Sequence, residues 1–483
     1  MSAKRFSVLE ILLWIILLLF VLLALSPYII GYRAKSDYVN LIQQISQLTQ
    51  QNLQVSNYDQ GFFSSQATLT LTLPQNSEAI LFKEEIIHGP VYLGLIAEDK
   101  SPLIAAVING ELDMQASHIK TLKITSETSP LLYQHLIDFI GDVETQVYVP
   151  PIKALIHEGA ESLHVESSGA MFTQRITSAD NNLKVEMTVP LINIHKTDFD
   201  MNIENTVISY SGIKGANQLM IGDTVFSVAS LDIEFTEEKF AVRQLVVHSA
   251  TSEVGKLINS GWQISAREVL ASNQKFGPIA LNVSLNGLDA DSLLQLEKMK
   301  TSLDKKLAEG VSAEAVNASI ANQVMGIVPG LIKQAEININ PLSINSELGR
   351  LEADMEFKLQ GVDTLHSTDL LSLLNTIQFE LNASIDEPLI KKLFAWQLNN
   401  LHVDPASSKT ANTYSLGSYD SMSLKVDQNL KAILAENWLV KAENSYVSKI
   451  SMHQGELLIN NTPVDFLRQI MSFGNSDSKA PVH

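Results

Sequence analysis

The chain has 483 residues and a formal net charge of −19, from 34 Lys and Arg against 53 Asp and Glu. That balance excludes a nucleic-acid-binding body, which needs clustered basic side chains to displace counterions, and argues against a body lying flat on anionic lipid. There is no cysteine, which removes disulfides, thiolate metal sites and thiol nucleophiles together.

The first element is the run ILLWIILLLFVLLALSPYII, Ile11 to Ile30, which carries no charge. As a helix it would be about 30 Å long, the thickness of a bilayer core. It is longer than the apolar region of a cleaved signal peptide, and Pro27 directly follows the nearest small-x-small site. The expectation is a single transmembrane anchor within residues 1–33. Ile11, Phe20 and Ile30 lie in its apolar run, and Trp14 and Tyr28 near its ends. Lys4 and Arg5 balance Arg33 and Lys35. The very short segment before the first pair favours a cytoplasmic N-terminus and an exported body. Residues 34–56 continue as a helical stalk, with Val39, Ile42, Ile45 and Leu48 in a narrow stripe.

From residue 57 the dominant period is two. ATLTLTL sets Ala67, Leu69, Leu71 and Leu73 against Thr68, Thr70 and Thr72. NLKVEMTVPL, DFDMNIENTVISYSG and TIQFELNASI alternate in the same way. SELGR and HQG read as hairpin turns. One apolar and one polar face per strand means antiparallel sheet. Helices are predicted at 129–143 and 150–163, each opened by proline, and over a longer stretch with Leu296, Met299, Leu303 and Leu307, then Val316, Ile320, Val324, Ile327 and Leu331. A weaker helix, PVDFLRQIMSFG, closes the chain. The resulting scheme has a β-rich part at 57–290, a helical insert at 291–335, a second β-rich part at 336–474 and a disordered tail at 475–483. The fold class is α+β and β-rich: a transmembrane helix followed by an elongated body of curved antiparallel sheet with packed amphipathic helices.

Chemistry is harder to find. No two histidines have the spacing of a metal pair, and HExxH, GxSxG, P-loop and GxGxxG motifs are absent. His157 and His164 could share a helix face, but a solvated helix end explains them as well. Asp59, Ser64 and Ser65 have no base assigned to them. No catalytic, metal-binding or cofactor-binding residue is nominated, no cofactor is expected, and the protein is not read as an enzyme. In NYDQGFFSSQATLTLTL, Tyr58 and Phe63 are expected as aromatic anchors around a tight turn at Gly61, with Ser65 helping to satisfy the turn. His88-Gly89-Pro90 reads as a turn after a strand, with His88 bonding backbone there.

Tyr58-x-x-Gly61-x-Phe63-x-Ser65 runs into a strand, His88-Gly89-Pro90 follows, and LIKQAEININPLSINSELGRLEADMEFKLQG and HQGELLINNTPVDFL come much later. In this order the chain resembles the uncharacterised bacterial envelope family typified by YdgA. Gln60 and Asn461 depart from its pattern. The resemblance implies a bacterial inner-membrane protein with its body in the periplasm, and it brings no reaction with it. The layout is also similar to AsmA-like envelope proteins, an analogy of architecture only. Two functions fit. One is a binding module that holds lipid or another hydrophobic ligand in an amphipathic β-groove for envelope maintenance. The other is a structural scaffold that associates with itself as a homo-oligomer and takes no small ligand. A hydrolase is a remote third.

Overall fold

The computed structural model describes residues 52–464, except 73–78, 99, 115–121, 126–127, 159–160, 180, 236–237, 272–273, 309–323, 325, 329, 360–375 and 401–417. Before these it describes helical positions at Pro27, Gly31, Lys35, Ser36, Tyr38, Val39, Asn40, Ile42, Gln43 and Ser46. Of the described residues, 66% are in strands and 17% are helical, and the sheet is antiparallel. The expected α+β fold led by a transmembrane helix is therefore corrected to a mainly antiparallel β protein. Among the described residues no helix is long and apolar enough to cross a membrane. The anchor positions Ile11, Trp14, Phe20, Tyr28 and Ile30 lie outside them, as do the closing helix from residue 465 and the tail.

The chain divides into two compact units, one holding most residues up to Glu237 and the other most of those from Glu238. In the first unit the strands are β1 (Asn52–Gln60), β2 (Ser64–Thr72), β3 (Ala79–His88), β4 (Ala106–Leu112), β5 (Leu122–Thr125), β6 (Leu132–Ile137), β7 (Val143–Val149), β8 (Ile152–Glu158), β9 (Glu161–Ser167), β10 (Ala170–Thr177), β11 (Asn182–Lys196) and β12 (Phe199–Lys214). β1, β2, β3, β4, β6, β7, β10, β11 and β12 lie side by side, each antiparallel to the next. β5, β8 and β9 prolong β6, β7 and β10, since β5 pairs with β8, β8 with β9, and β9 with the far half of β11.

The break between β7 and β8 is Pro150-Pro151. Proline has no N–H for the ladder, so the strand cannot run through. The partner strand breaks opposite, at Ser168-Gly169, where Gly169 takes a φ of +109°. These prolines were expected to start a helix over 150–163, and that stretch is a corrected expectation. Ile152 and Ala154 pair with Ser167 and Val165 in a ladder instead. Residues 129–143 are corrected in the same way. Tyr133 and His135 point inward with Ile137, so the apolar face of β6 is disguised by two polar residue types.

The second unit starts with β14 (Lys239–Val254), β15 (Leu257–Ala266), β16 (Glu268–Ala271) and β17 (Gln274–Asp289), after β13 (Met220–Phe235). The helix α1 (Ala290–Ala308) follows, as the apolar stripe predicts, with its residues up to Lys300 in this unit. Asp289 caps it by accepting the Ser292 N–H at 2.8 Å. β18 (Glu336–Ser346), β19 (Gly349–Leu359) and β20 (Ile377–Asp386) extend the sheet from β17. The register slips between Ile339 and Leu342, across Asn340-Pro341, where the ladder lacks a donor. α2 (Glu387–Asn400) and α3 (Ser418–Ala435) pack together through Ile390 and Leu430 onto Tyr446. β21 (Val440–Ala442), β22 (Ser445–His453), β23 (Glu456–Ile459) and β24 (Thr462–Val464) complete the unit. The β22–β23 hairpin turns at Gln454 and Gly455, both at positive φ, where HQG predicts it.

One core of the first unit forms where a helix crosses the sheet, and a second gathers Leu95, Ile104, Val107 and Leu136. Tyr38 and Ile42 pack on Ala67, Leu69, Ile86 and Ile108, edged by Leu53, Val55, Tyr58 and Phe82. Ile86 is 2% exposed. Ile86→Ala is expected to lower stability by about 2–5 kcal/mol, from lost transfer energy plus a cavity. Thr188→Ala, on the wet face of β11, should stay within about 0.5 kcal/mol. Urea denaturation of both variants checks this.

Candidate functional site

The most concentrated polar chemistry lies inside that core. Alternation along β3 sends Phe82, Glu84, Ile86 and His88 to one face, while Lys83 and Glu85 face solvent. Register then sets Glu84 opposite Gly110 of β4, and Gly110 opposite Tyr133 of β6. Gly110 has no side chain to fill the gap. A Cβ there would lie 2.0 Å from the Tyr133 ring, so the ring lies across the glycine and reaches the strand beyond. Tyr133 Oη donates to one carboxylate oxygen of Glu84 and Tyr38 Oη, from the crossing helix, donates to the other. One buried carboxylate thus joins a helix to two strands.

Burial pushes the Glu84 carboxyl above its ordinary range, and the two tyrosine hydroxyls pull it back only in part. Both tyrosines are pushed well above their ordinary range, by burial first and the Glu84 charge second, so they stay protonated donors. Beside them, His135 Nδ1 shares a 2.8 Å hydrogen bond with Thr145 Oγ1, and burial pushes its pKa down.

At the end of β3 the motif residues meet. His88 Nε2 and Ser65 Oγ share a hydrogen bond of 2.9 Å, and both residues are buried. The His88 N–H donates to Phe63 O at 2.8 Å, and Nδ1 lies 3.4 Å from Phe62 O. Gly61 N donates to Ser64 O at 3.0 Å, closing the turn. Gly89 N donates to Ala105 O at 2.9 Å, and Pro90 O accepts from Ile104 N at 3.1 Å. The helix covers the His88 ring at Gly31, where a Cβ would come within 2.4 Å of it. Tyr58 stacks near Tyr38 at 6.1 Å between centroids and carries Lys35 above its ring. Its buried hydroxyl points toward Ser65 without a hydrogen bond of good geometry.

Ser65 and His88 therefore form a pair that sequence spacing did not reveal. With Ser65 1% and His88 3% exposed, no substrate carbonyl can reach the serine oxygen, so the pair serves as a structural tie. Phe63 is a correction, since it is 65% exposed and no anchor. His157 and His164 do not share a helix face; they lie on paired strands, with His164 opposite Leu155. The sequence reading missed Glu84, Tyr38, Tyr133, Gly31 and Gly110. A carboxylate on the apolar face of KEEIIH was the one legible signal.

Two clefts open on the outer faces of the first unit. One of 520 Å³ lies over β1–β4 and is lined by Asp59, Gln66, Lys83, Glu85 and Glu111. The other, of 730 Å³, opens at the strand break between Pro150, Pro151, Ile152 and Leu191.

The model of a family described as bacterial protein of unknown function (DUF945) matches residues 8–466, nearly the whole chain. The chain belongs to the DUF945 family. No curated protein matches it. The match spans the buried cluster, the turn motif and the two clefts just described in this DUF945 protein, and it assigns no activity to any of them.

Gly61→Val would drive a side chain into Ser64 O, which lies 2.3 Å from an ideal Cβ, and is expected to impair folding or expression. Ser64→Ala should be nearly silent; soluble yield and Tm of both variants are the measurement. A second expectation concerns pH. A carboxyl whose folded pKa lies above its unfolded one binds more protons folded than unfolded. Glu84 therefore makes the protein lose stability as pH rises from about 4.5 to the raised value. His135, with a depressed pKa, acts oppositely: stability falls as pH drops below its ordinary 6.5. Glu84→Gln should flatten the first slope and leave the second, read as Tm against pH. An unchanged slope in the variant would rule out a buried, titrating Glu84.

Proposed function

We propose that this DUF945 protein is a non-enzymatic binding protein that holds an elongated hydrophobic molecule of the lipid class along the apolar face of its sheet. One observation carries the reading. On the face that holds the Glu84 cluster, the register sets Val147 of β7, Phe172 of β10, Met187 of β11 and Ile208 of β12 in one row across four strands. All four are only half-buried. An ordinary core would bury such a row fully, because half-exposed apolar area forgoes about 25 cal/mol per Å².

The row has the form a flexible apolar chain needs. It is continuous across four strands and includes Met and Phe, which adapt to different contacts. Toward the sheet end it continues through Val143, Ile176 and Leu183. Tyr210, opposite Val185, adds a hydroxyl on the same face, and burial pushes its pKa up.

The purified full chain is expected to carry lipid, detected by mass spectrometry after solvent extraction. Met187→Glu should reduce the bound lipid by about tenfold or more, given a charge set against an apolar ligand. Thr188→Glu, on the opposite face of β11, should leave it unchanged. A well-folded chain that carries no lipid and binds no labelled phospholipid overturns the reading. A concentration-dependent mass in that ligand-free chain would favour self-association as the use of this face.

A further inference from the structure

A different part of the first unit carries a second inference, independent of the ligand-binding face. Three turns share one end of the sheet: residues 61–63 between β1 and β2, 89–105 between β3 and β4, and 138–142 between β6 and β7. They are neighbours because β1, β2, β3, β4, β6 and β7 lie side by side, spanning about 24 Å at ordinary strand spacing. Each turn exposes large apolar side chains. Phe63 is 65% exposed, Leu93 69%, Ile96 59%, Leu103 60%, Phe139 57% and Ile140 72%. Single exposed apolar residues need no explanation, but six on neighbouring turns at one sheet end mark an interaction surface.

The surface is firmly built. Phe62 and Phe63 pack edge-on at 4.7 Å, and the backbone carbonyls of both are held by His88. Val91 bridges to Leu103, and Tyr92 N donates to Pro102 O at 2.8 Å, so the base of the long turn is held as a pair of strands. Among the described residues, two charged side chains near the apolar ones are tied back. Lys100 pairs with Glu144 at 3.0 Å, and Asp138 accepts from the N–H groups of Ile140 and Asp142 at 2.9 and 2.8 Å.

The path of the chain says what this end meets. The helical positions run from Gly31, on His88 at this end, to Tyr38 on Glu84 and Ile42 further along the face. Gly31 therefore stands at the apolar end, and the sequence that leads into it includes the uncharged run Ile11–Ile30. We propose that this end of the sheet docks on a lipid surface, with the apolar side chains of the three turns entering the interface between headgroups and acyl chains. The turns offer apolar and aromatic contact rather than a basic patch, and the chain as a whole is acidic. The surface therefore fits a zwitterionic lipid surface rather than an anionic one.

The absence of cysteine makes the test direct, since one introduced cysteine can be labelled uniquely. Full-length Leu93→Cys and Ile140→Cys, each spin-labelled, are mixed with phosphatidylcholine vesicles. Val254→Cys, 63% exposed in the second unit, is the reference. Both tip labels are expected to lose access to a water-soluble relaxer and gain access to oxygen when vesicles are present, with the reference label unchanged. Tip labels as water-accessible as the reference on vesicle-bound protein overturn the proposal, and so does a chain that does not bind the vesicles. Protection that rises with protein concentration without vesicles assigns the end to a second copy and overturns it too. None of these readouts depends on lipid carried along the Val147–Ile208 row, so the two proposals fail separately.

Discussion

A buried carboxylate with two tyrosine donors is the constraint on which the first unit depends. Glu84 cannot face solvent without turning Ile86 and His88 outward, because all three share one face of β3. Once inside, it needs donors, and an unsatisfied charge there would cost several kcal/mol. Tyr133 reaches it only because Gly110 leaves the space between them open, and Tyr38 reaches it only if the helix lies across the sheet. The polar contact therefore fixes how the helix is seated, while Ile42, Leu69 and Ile108 supply most of the favourable burial. The helix in turn covers His88 with Gly31, and His88 holds the turn at Phe62 and Phe63. Carboxylate, helix, histidine and apolar turn form one mechanical sequence.

Much of the sheet was legible in the sequence, because its strands carry the period that distinguishes two faces. The Leu and Thr alternation of β2, and the runs around Met187, Phe199 and Phe379, specify both strand and face. Where the reading failed, the cause was specific. β6 looked helical because Tyr133 and His135 occupy inward positions that an apolar pattern would fill with Leu or Val. β8 looked helical because proline opens helices more often than it separates two collinear strands. α2 and α3 went unread because their apolar residues pack on Tyr446 in a small satellite core of the second unit.

The cluster was less legible than the sheet. Tyr58, Gly61, Ser65 and His88 stand out as a local pattern, and the structure brings them together. Glu84, Tyr38 and Tyr133 do not stand out, since they are separated by 46 and 49 residues and become neighbours only through register. Gly61 was singled out for its backbone freedom. Its actual requirement is the close approach of Ser64 O, which leaves no room for a Cβ.

The strand order also bears on how the chain acquires its structure. In the first unit each strand or broken strand pairs with the one made just before it, so most ladder contacts join residues close in sequence. Short closures of this kind carry a small entropic cost and favour rapid zippering. A chain emerging end-first can add one strand at a time, each new strand capping the raw edge left by the last and so shielding it from pairing with another chain. The Tyr133 hydroxyl comes late, because its strand β6 is made three strands after the β3 that carries Glu84, and it completes the donors of a carboxylate that until then has the Tyr38 hydroxyl of the helix.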